Sequence, residues 1–510
     1  MVNGMSKEQK NGQPAKRLSA FSEFGMTGTV TLLKKEIQEL YCADNIPWII
    51  GYSGGKDSTA ILQLIWLALR ELRSDQRTKI VYVISTDTLV ENPIVAAWVT
   101  RSLDTMGESA RQESLPITPQ RLTPRIEDSF WVNLIGKGYP SPRPKLRWCT
   151  DRMKIRPSNT FIKSCVNQHG QAILVLGARK AESAARARVL NANKKYRVQD
   201  RLSPNPTLAG CLVYTPIEDW SNDDVWMFLM QVENPWQFSN KDLLTMYAGA
   251  TADGECPLVV DSNTPSCGDS RFGCWVCTMV ELDKSMAAMI QNDQEKEWMR
   301  PLMQLRNELD AHDDKPLRDF RRMSGAVNIM NDGSPVPGPY KQSTREHWLE
   351  RLLQAQTWIR ANGPKEVCDI TLITTDELEE IRRIWVMDKH ELEDHLPAIY
   401  QKICGESYPG RPLDDNLVVG ADDMRLLEEI CGSDRIHYEL TRELLDVARR
   451  NRNLSRRARI YEDLEAAFTR GFYDNAEDAT AKARKHQSAL KFASNARNPV
   501  SRLVAAEVRI

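Results

Sequence analysis

The hydrophobic rhythm of the chain changes once along its length. Over residues 31–290, short apolar, β-rich runs alternate with amphipathic stretches. Trp48-Ile49-Ile50-Gly51-Tyr52 reads as a first strand, and residues 59–72 read as the helix behind it. KIVYVIS (79–85) reads as a second strand and AILVLG (172–177) as a later one. Strands separated by helix-length stretches predict an α/β domain, a parallel sheet with flanking helices. From about residue 291 the apolar positions recur at helical spacing, as in HWLERLLQAQTWI (347–359), DELEEIRRIW (376–385) and MRLLEEI (424–430). GSPVPGPY (333–340) interrupts them as a loop. The first 30 residues are polar, with a few basic positions, and read as a flexible tail. Three regions are expected: a tail over 1–30, an α/β domain over 31–290, and an appended, mostly helical domain over 291–510.

Composition narrows the setting. A chain of 510 residues suits two or three domains and can bury a core without disulfide staples. Its 41% apolar and 27% charged residues are the proportions of a soluble globular protein. The N-terminal stretch lacks the apolar core of a secretory signal, and no run approaches the ~20 apolar residues of a spanning helix. A cytoplasmic protein with no membrane partner is expected. In that reducing setting the eleven cysteines are thiols or metal ligands before they are disulfides. The net charge of -1 averages stretches of opposite sign, so these are read separately. Residues 179–201 carry eight basic side chains against Glu182 and Asp200, which suits a nucleotide or a polyanionic substrate. Residues 449–459 carry six arginines and no acid. That run suits a phosphate backbone, or forms a solvated helix face that pairs with acidic neighbours.

Candidate chemistry begins at Ser53-Gly54-Gly55-Lys56-Asp57-Ser58, which follows the first strand and opens a helix. Two glycines let the backbone approach a phosphate with its N–H groups pointing inward, and the helix N-terminus adds a favourable dipole. Lys56 can pair with a phosphate oxygen. Asp57 would repel a bare phosphate, so it suggests Mg²⁺ between them. The GxxxxGK[ST] spacing of a Walker A loop is absent. The hexapeptide resembles the PP-loop of the ATP pyrophosphatase superfamily. Members cleave ATP between its α- and β-phosphates, adenylate a substrate and release pyrophosphate. The resemblance implies ATP and Mg²⁺ as cofactors, with Lys56 and Asp57 catalytic. It implies that Ser53, Gly54, Gly55, Asp57 and Ser58 hold the β,γ-phosphates and the metal.

Three further segments resemble the PAPS-reductase-like branch of that superfamily. Ser85-Thr86-Asp87-Thr88, followed by Glu91-Asn92-Pro93, is similar to its DTG…FPE segment, which implies that Asp87 lies near the nucleotide. Leu89 stands where that segment has glycine. Gly177-Ala178-Arg179, with Glu182-Ser183 and Arg186, resembles a phosphate-binding GxRxxES…R segment and implies that Gly177, Arg179 and Arg186 contact the nucleotide. Pro216-Ile217-Glu218-Asp219-Trp220-Ser221 with Asp224-Val225-Trp226 resembles a PIxxWxxxDVW helix start. There Trp220, Val225 and Trp226 are expected in the core, and Ser221 as an N-cap with Asp224 three residues on.

Five cysteines are placed for chemistry: Cys274 and Cys277 as a CxxC in RFGCWVCT, Cys267 and Cys256 just upstream, and Cys149 in RWCTDRMKIRP. A CxxC turn brings two thiolates to one metal, and two more cysteines complete a tetrahedral or cubane site. Spacing alone leaves zinc, iron–sulfur and a redox dithiol open. GCxxCT resembles the C-terminal cysteine pair of APS reductases, and Cys149-Thr150-Asp151-Arg152-Met153-Lys154 resembles their CCxxRK segment with one cysteine missing. That resemblance implies a [4Fe–4S] cluster on Cys267, Cys274 and Cys277 plus either Cys149 or Cys256. With Cys256 as ligand, Cys149 is free to be a sulfur-carrying nucleophile. Arg147, Arg152 and Lys154 beside it are expected to favour its thiolate. Cys42, Cys165, Cys211, Cys368, Cys404 and Cys431 are isolated and read as inert thiols.

The whole layout resembles the DndC family, sulfurtransferases of bacterial DNA phosphorothioation. It combines YSGGKDSTA, one upstream cysteine in WCTDRMKIRP, a cysteine cluster ending RFGCWVCT, and a long helical C-terminus. The resemblance implies an enzyme, an ATP pyrophosphatase that acts on a DNA backbone phosphate. Its implied partners are a cysteine desulfurase as sulfur donor and DndD and DndE-like proteins. Three alternatives are a PAPS/APS-type reductase, a tRNA-thiolating PP-loop enzyme, and a non-catalytic, nucleotide-gated scaffold of a sulfur complex.

Overall fold

The computed structural model describes residues 19–144, 146–198, 201–250, 273–411, 413, 420–452 and 459–496, the last to residue 489 for side chains. The chain divides into two compact, discontinuous units. One comprises 1–86, 93–122 and 158–272; the other comprises 87–92, 123–157 and 273–510. The sequence pattern had placed all of 31–290 in one domain.

The first unit is built on a six-stranded sheet in the order β3-β2-β1-β4-β6-β5. Its strands are β1 (Trp48–Gly51), β2 (Val81–Thr86), β3 (Ile117–Leu122), β4 (Ala172–Val175), β5 (Ser203–Pro204) and β6 (Cys211–Tyr214). β1 lies at the centre and pairs in parallel with β2, Trp48 opposite Val81, and with β4, Trp48 opposite Ile173. The sheet is parallel throughout except for two-residue β5, which runs antiparallel to β6 at the edge. Pro204 suits that edge, because proline cannot donate to a further strand. Side chains alternate along β1: Trp48 and Ile50 enter one apolar cluster, and Ile49 enters another on the opposite face.

The helices of this unit are α1 (Gly25–Cys42), α2 (Lys56–Glu71), α3 (Pro93–Gln112), α4 (Arg156–His169), α5 (Ala184–Asn193), α6 (Asn222–Gln231) and α7 (Asn240–Gly249). α2 is buried almost all round from Ser58 to Leu69, packed against α1 and α6. The expected tail is shorter than 1–30. Phe21 is buried edge-on against Trp220 with ring centroids 5.1 Å apart, and the Ala20 amide donates to Asp224 at 3.1 Å. Ser221 and Asp224 form the reciprocal cap of α6, and Trp220, Val225 and Trp226 are buried as the pattern required.

The second unit is helical, with α8 (Lys284–Asn292), α9 (Arg300–Leu309), α10 (Gln342–Asn362), α11 (Thr375–Arg383), α12 (His395–Cys404), α13 (Ala421–Cys431), α14 (Arg435–Asn451), α15 (Ile460–Gly471) and α16 (Ala476–Ala496). Residues 123–157 belong with these helices because two tryptophans tie them there. Trp131 Nε1 donates to the Leu372 carbonyl at 2.8 Å, and Trp385 Nε1 donates to that of Ile135 at 3.0 Å. The loop over 333–340 is anchored by the Tyr340 amide on the Gly138 carbonyl at 2.7 Å. Among the described residues no helix is long and apolar enough to cross a membrane.

Candidate functional site

The chain winds from β1 through β2 to β3 on one side of the sheet, then returns to place β4 on the other side of β1. The carboxyl ends of β1 and β4 are therefore a topological switch point, where open α/β sheets bind ligands. Ser53–Ser58 leaves β1 there and Gly177 leaves β4 there. Gly54 takes the left-handed conformation, φ +73°. Ser58 closes the loop from within: its hydroxyl accepts from the Ser53 amide at 3.2 Å and donates to the Gly55 carbonyl at 2.9 Å. Lys56 and Asp57 fall in the first turn of α2, whose leading N–H groups have no partner inside the helix.

Gly177 packs directly on this loop. A Cβ there would lie 3.1 Å from the Asp57 carbonyl carbon and 3.2 Å from its Cβ. The structure thus brings Ser53, Gly54, Gly55, Lys56, Asp57, Ser58, Gly177 and Arg179 together. Arg179 is buried, with Nη1 donating to the Trp220 carbonyl at 3.3 Å. Its Nε lies 2.7 Å from Asp57 Oδ1 as an ion pair, yet out of line for a hydrogen bond, and neither buried atom has a hydrogen-bond partner in the described structure. Lys56 Nζ lies 3.2 Å from Asp57 Oδ2. A carboxylate and two cations gathered beside a strand-to-helix anion cradle fit a Mg²⁺–phosphate ligand in donor type.

Two other expected nucleotide contacts have partners of their own. Arg186 is half exposed on α5 and paired with Glu182. Asp87 belongs to the second unit, where its carboxylate accepts from the Leu89 amide at 2.9 Å. Leu89 holds φ +65°, so the backbone keeps a left-handed turn where the related segment has glycine. Tyr247 of α7 escaped the sequence reading altogether. Its hydroxyl lies 3.4 Å from the Lys56 amide, and the Lys56 ammonium lies 5.6 Å from its ring centroid. Burial, then the Asp57 charge, pushes its phenol up.

The cysteines form a separate group in the second unit. The Glu91 backbone bridges to Cys274, the Trp275 amide donates to the Val90 carbonyl at 2.9 Å, and the Cys277 amide donates to the Cys274 carbonyl at 3.0 Å. Thr88 Oγ1 lies 3.3 Å from Cys274 Sγ, and Lys154 Nζ lies 3.3 Å from Glu91 Oε1. Burial and then Glu91 push the Cys274 thiol up to about 12. The Lys154 ammonium is held above its usual range, chiefly by Cys274. Arg306 of α9, also unforeseen, clamps the loop after Cys277: it is buried and donates to the carbonyls of Cys277 at 3.0 Å, Glu281 at 2.9 Å, and Val280.

Cys149 is half-buried and precedes a wide, π-type turn over Thr150–Ile155. Its thiol is raised, by burial first and also by Cys277, rather than lowered as expected. The neighbouring cations are engaged elsewhere. Arg152 bonds Asn133 and Tyr139, Arg147 donates to the Pro144 carbonyl, and Lys154 pairs with Glu91. Cys256 and Cys267 lie outside the described residues. Among the described residues no group of three or more His, Cys, Asp or Glu is placed to hold a metal. The neighbouring thiols of Cys149, Cys274 and Cys277 suit a thiolate-ligated cluster in donor type, without completing its ligand set.

Among the described residues, several cations of the basic stretches are paired with carboxylates. Glu218 gathers Lys180, Lys194 and Arg197, and Arg201 pairs with Glu39. Arg449 and Arg450, at the start of the arginine run, both pair with Asp446 one turn earlier on α14. Residues 453–458 lie outside the described residues.

Residues 47–237 match the family model of the phosphoadenosine phosphosulfate reductase domain. No curated protein matches the chain. Among solved structures it is similar to a phosphoadenylyl-sulfate (PAPS) reductase from Candida auris in a phosphate complex, at 15% identity and TM-score 0.25, covering 40% of this chain and 84% of that one. It is also similar to the U34-tRNA thiolase NcsA from Methanococcus maripaludis with its [4Fe-4S] cluster, at 12% identity and TM-score 0.27, covering 56% of this chain and 80% of that one. The family match and the sheet together establish a PAPS reductase-like domain of the PP-loop kind, followed by a helical C-terminal region.

Proposed function

We propose that this chain, through its PAPS reductase-like PP-loop domain, is an ATP-dependent sulfurtransferase that adenylates a backbone phosphate of DNA and takes part in replacing a non-bridging oxygen by sulfur. The observation that carries the reading is the phosphate loop at the β1–β4 switch point, where Lys56 and Arg179 converge on Asp57, 3.2 Å and 2.7 Å from its two carboxylate oxygens. The sequence layout around Cys149, Cys274 and Cys277 supplies the sulfur part.

In the first step a non-bridging backbone oxygen attacks the α-phosphorus of ATP, and the bond to pyrophosphate breaks. A poor oxygen leaving group has then become AMP, which a sulfur nucleophile displaces from the backbone phosphorus. Loop amides and Lys56 hold the departing pyrophosphate, and Arg179 offsets negative charge beside Asp57. Asp57 would hold Mg²⁺, which supplies further charge neutralisation. Cys267, Cys274 and Cys277, with either Cys149 or Cys256, would be the donors for a [4Fe–4S] cluster, which would supply iron with affinity for sulfur. A cysteine desulfurase as sulfur donor and DndD and DndE-like proteins complete the proposed system.

The family match over 47–237 also favours a reductase of an adenylylated sulfate. Pyrophosphate release from ATP and Mg²⁺ separates the two. The proposal expects release by the wild type and none by Asp57→Ala; a wild type that releases none overturns it. Deleting the gene and digesting cellular DNA and RNA tests the substrate: sulfur must vanish from DNA dinucleotides. Loss from RNA alone would make the chain a tRNA-thiolating enzyme.

A further inference from the structure

The helical unit holds a cavity of about 500 Å³ between α10, the turn after α11, α14 and α15. Its walls are dense in charge, and the carboxylates among them are already taken. Asp319 and Glu439 are paired with Arg321, and Glu391 is paired with Arg345. Glu443 is paired with Arg470, and Asp388 with Arg383. Two acids just behind the wall are likewise engaged: Glu393 by Arg442, and Asp446 by Arg449, Arg450 and His390.

Three cations of the lining meet no carboxylate among the described residues. Arg322 donates to the Pro337 carbonyl at 3.2 Å and Lys341 to the Pro316 carbonyl at 2.8 Å. The ammonium of Lys389, just after a π-type turn over Ile384–Asp388, has no hydrogen-bond or ion-pair partner among the described residues. Burial, and then the Arg345 guanidinium, push its ammonium down to about 8. A half-buried ammonium that makes no ion pair, beside carboxylates already paired with arginines, leaves a positive charge that an incoming anion can balance.

We infer that this cavity is a second anion site, distinct from the phosphate loop, that takes a phosphate-bearing ligand of roughly mononucleotide size with Lys389 as its anchor. The size follows from the volume, which falls within the ~300–1,000 Å³ of small-molecule pockets and exceeds what a lone phosphate fills. Arginine forks and an ammonium are the donors that recognise phosphate oxygens. The inference does not depend on the proposed function.

The test reads Lys389 itself. The full-length chain is acylated briefly at neutral pH, and modification of each lysine is followed by mass spectrometry, with orthophosphate, AMP or a DNA dinucleotide present or absent. The free amine of Lys389 should react faster than surface lysines. A bound phosphate that raises its pKa by one unit should slow it about tenfold. Protection by orthophosphate assigns a simple anion site, and protection by AMP or the dinucleotide alone assigns a nucleotide or backbone site. Repeating the protection in Asp57→Ala excludes relay from the phosphate loop, and Lys389→Met should lose the same binding event in calorimetry. The inference is overturned if no ligand protects Lys389, if protection vanishes with Asp57→Ala, or if Lys389 resists acylation in the free protein, which would mean a cavity closed to solvent.

Discussion

Replacing Gly54 by alanine strikes the phosphate loop at its tightest point. At φ +73° an L side chain costs about 1–2 kcal/mol. A Cβ there would also lie 2.5 Å from Val99 Cγ2 and 3.5 Å from Trp98 Cδ1 on α3. Val99 is β-branched, so its methyl cannot swing aside without leaving its helix rotamer, and overpacking of this kind costs about 1–3 kcal/mol. The two terms together predict a loss of about 2–5 kcal/mol in the cooperative unit that contains the loop. They are separable, because Val99→Ala removes the methyl and leaves the backbone angle. In a double-mutant cycle the coupling should equal the clash, about 1–3 kcal/mol, and a deficit of about 1–2 kcal/mol should persist. Denaturant unfolding of the four chains measures this, with ATP affinity alongside. Gly54→Ala should bind ATP at least ~10-fold more weakly, which is about 1.4 kcal/mol, and the double variant should recover part of that. Full recovery in the double variant would refute the left-handed backbone. A strictly additive cycle would refute the packing of the loop on α3.

Other residues give sharper signs than sizes. At Leu89, φ +65°, the glycine variant should be more stable than the alanine variant by up to ~1 kcal/mol, the reverse of their usual order; unfolding midpoints decide it. Arg306→Met should cost about 3–5 kcal/mol by leaving buried carbonyls without donors, and should speed alkylation of Cys277; an unchanged melting temperature would remove the clamp. Glu218 is opposed by burial, yet Lys180 and Arg197 hold its carboxyl below the usual range. A depressed pKa gives stability that is present above the unfolded value and lost as pH falls through the folded one. Glu218→Gln should therefore cost about 1–3 kcal/mol at pH 7, with the gap to wild type closing below about pH 4.

How much of this was legible depended on distance along the chain. The loop from Ser53 to Ser58 was readable because its chemistry is local: two glycines, a helix start and adjacent charges sit within six residues. Gly177 and Arg179 were found through a motif, and the parallel β1–β4 pairing is the reason that motif reaches Asp57. Tyr247 and Arg306 carried no comparable signal. Each acts from a helix of ordinary composition, and only the packing of α7 on the loop, or of α9 under the CxxC turn, gives it a partner. The stretch 123–157 misled for a related reason. It lies between strands of the sheet in sequence, but its Trp131 donates to Leu372 and its Ile135 accepts from Trp385, each more than 200 residues away.

Charge was where a linear reading left most open, because counting in windows treats neighbours in sequence as neighbours in space. The run from Arg449 holds no acid itself, and Asp446 one helical turn before it takes two of its arginines, the pairing with acidic neighbours that the sequence allowed. The stretch from Arg179 to Arg201 looked strongly basic, yet Glu218 absorbs three of its cations from across β6. The cavity cations left without a carboxylate among the described residues, Arg322, Lys341 and Lys389, stand outside the two basic stretches. Acids stand near them in sequence, but Asp319 and Asp388 pair with the nearby Arg321 and Arg383, and α10 brings Arg345 to Glu391. A surplus of positive charge is therefore a property of the assembled cavity, and the site for an anion follows from which pairs the fold makes first.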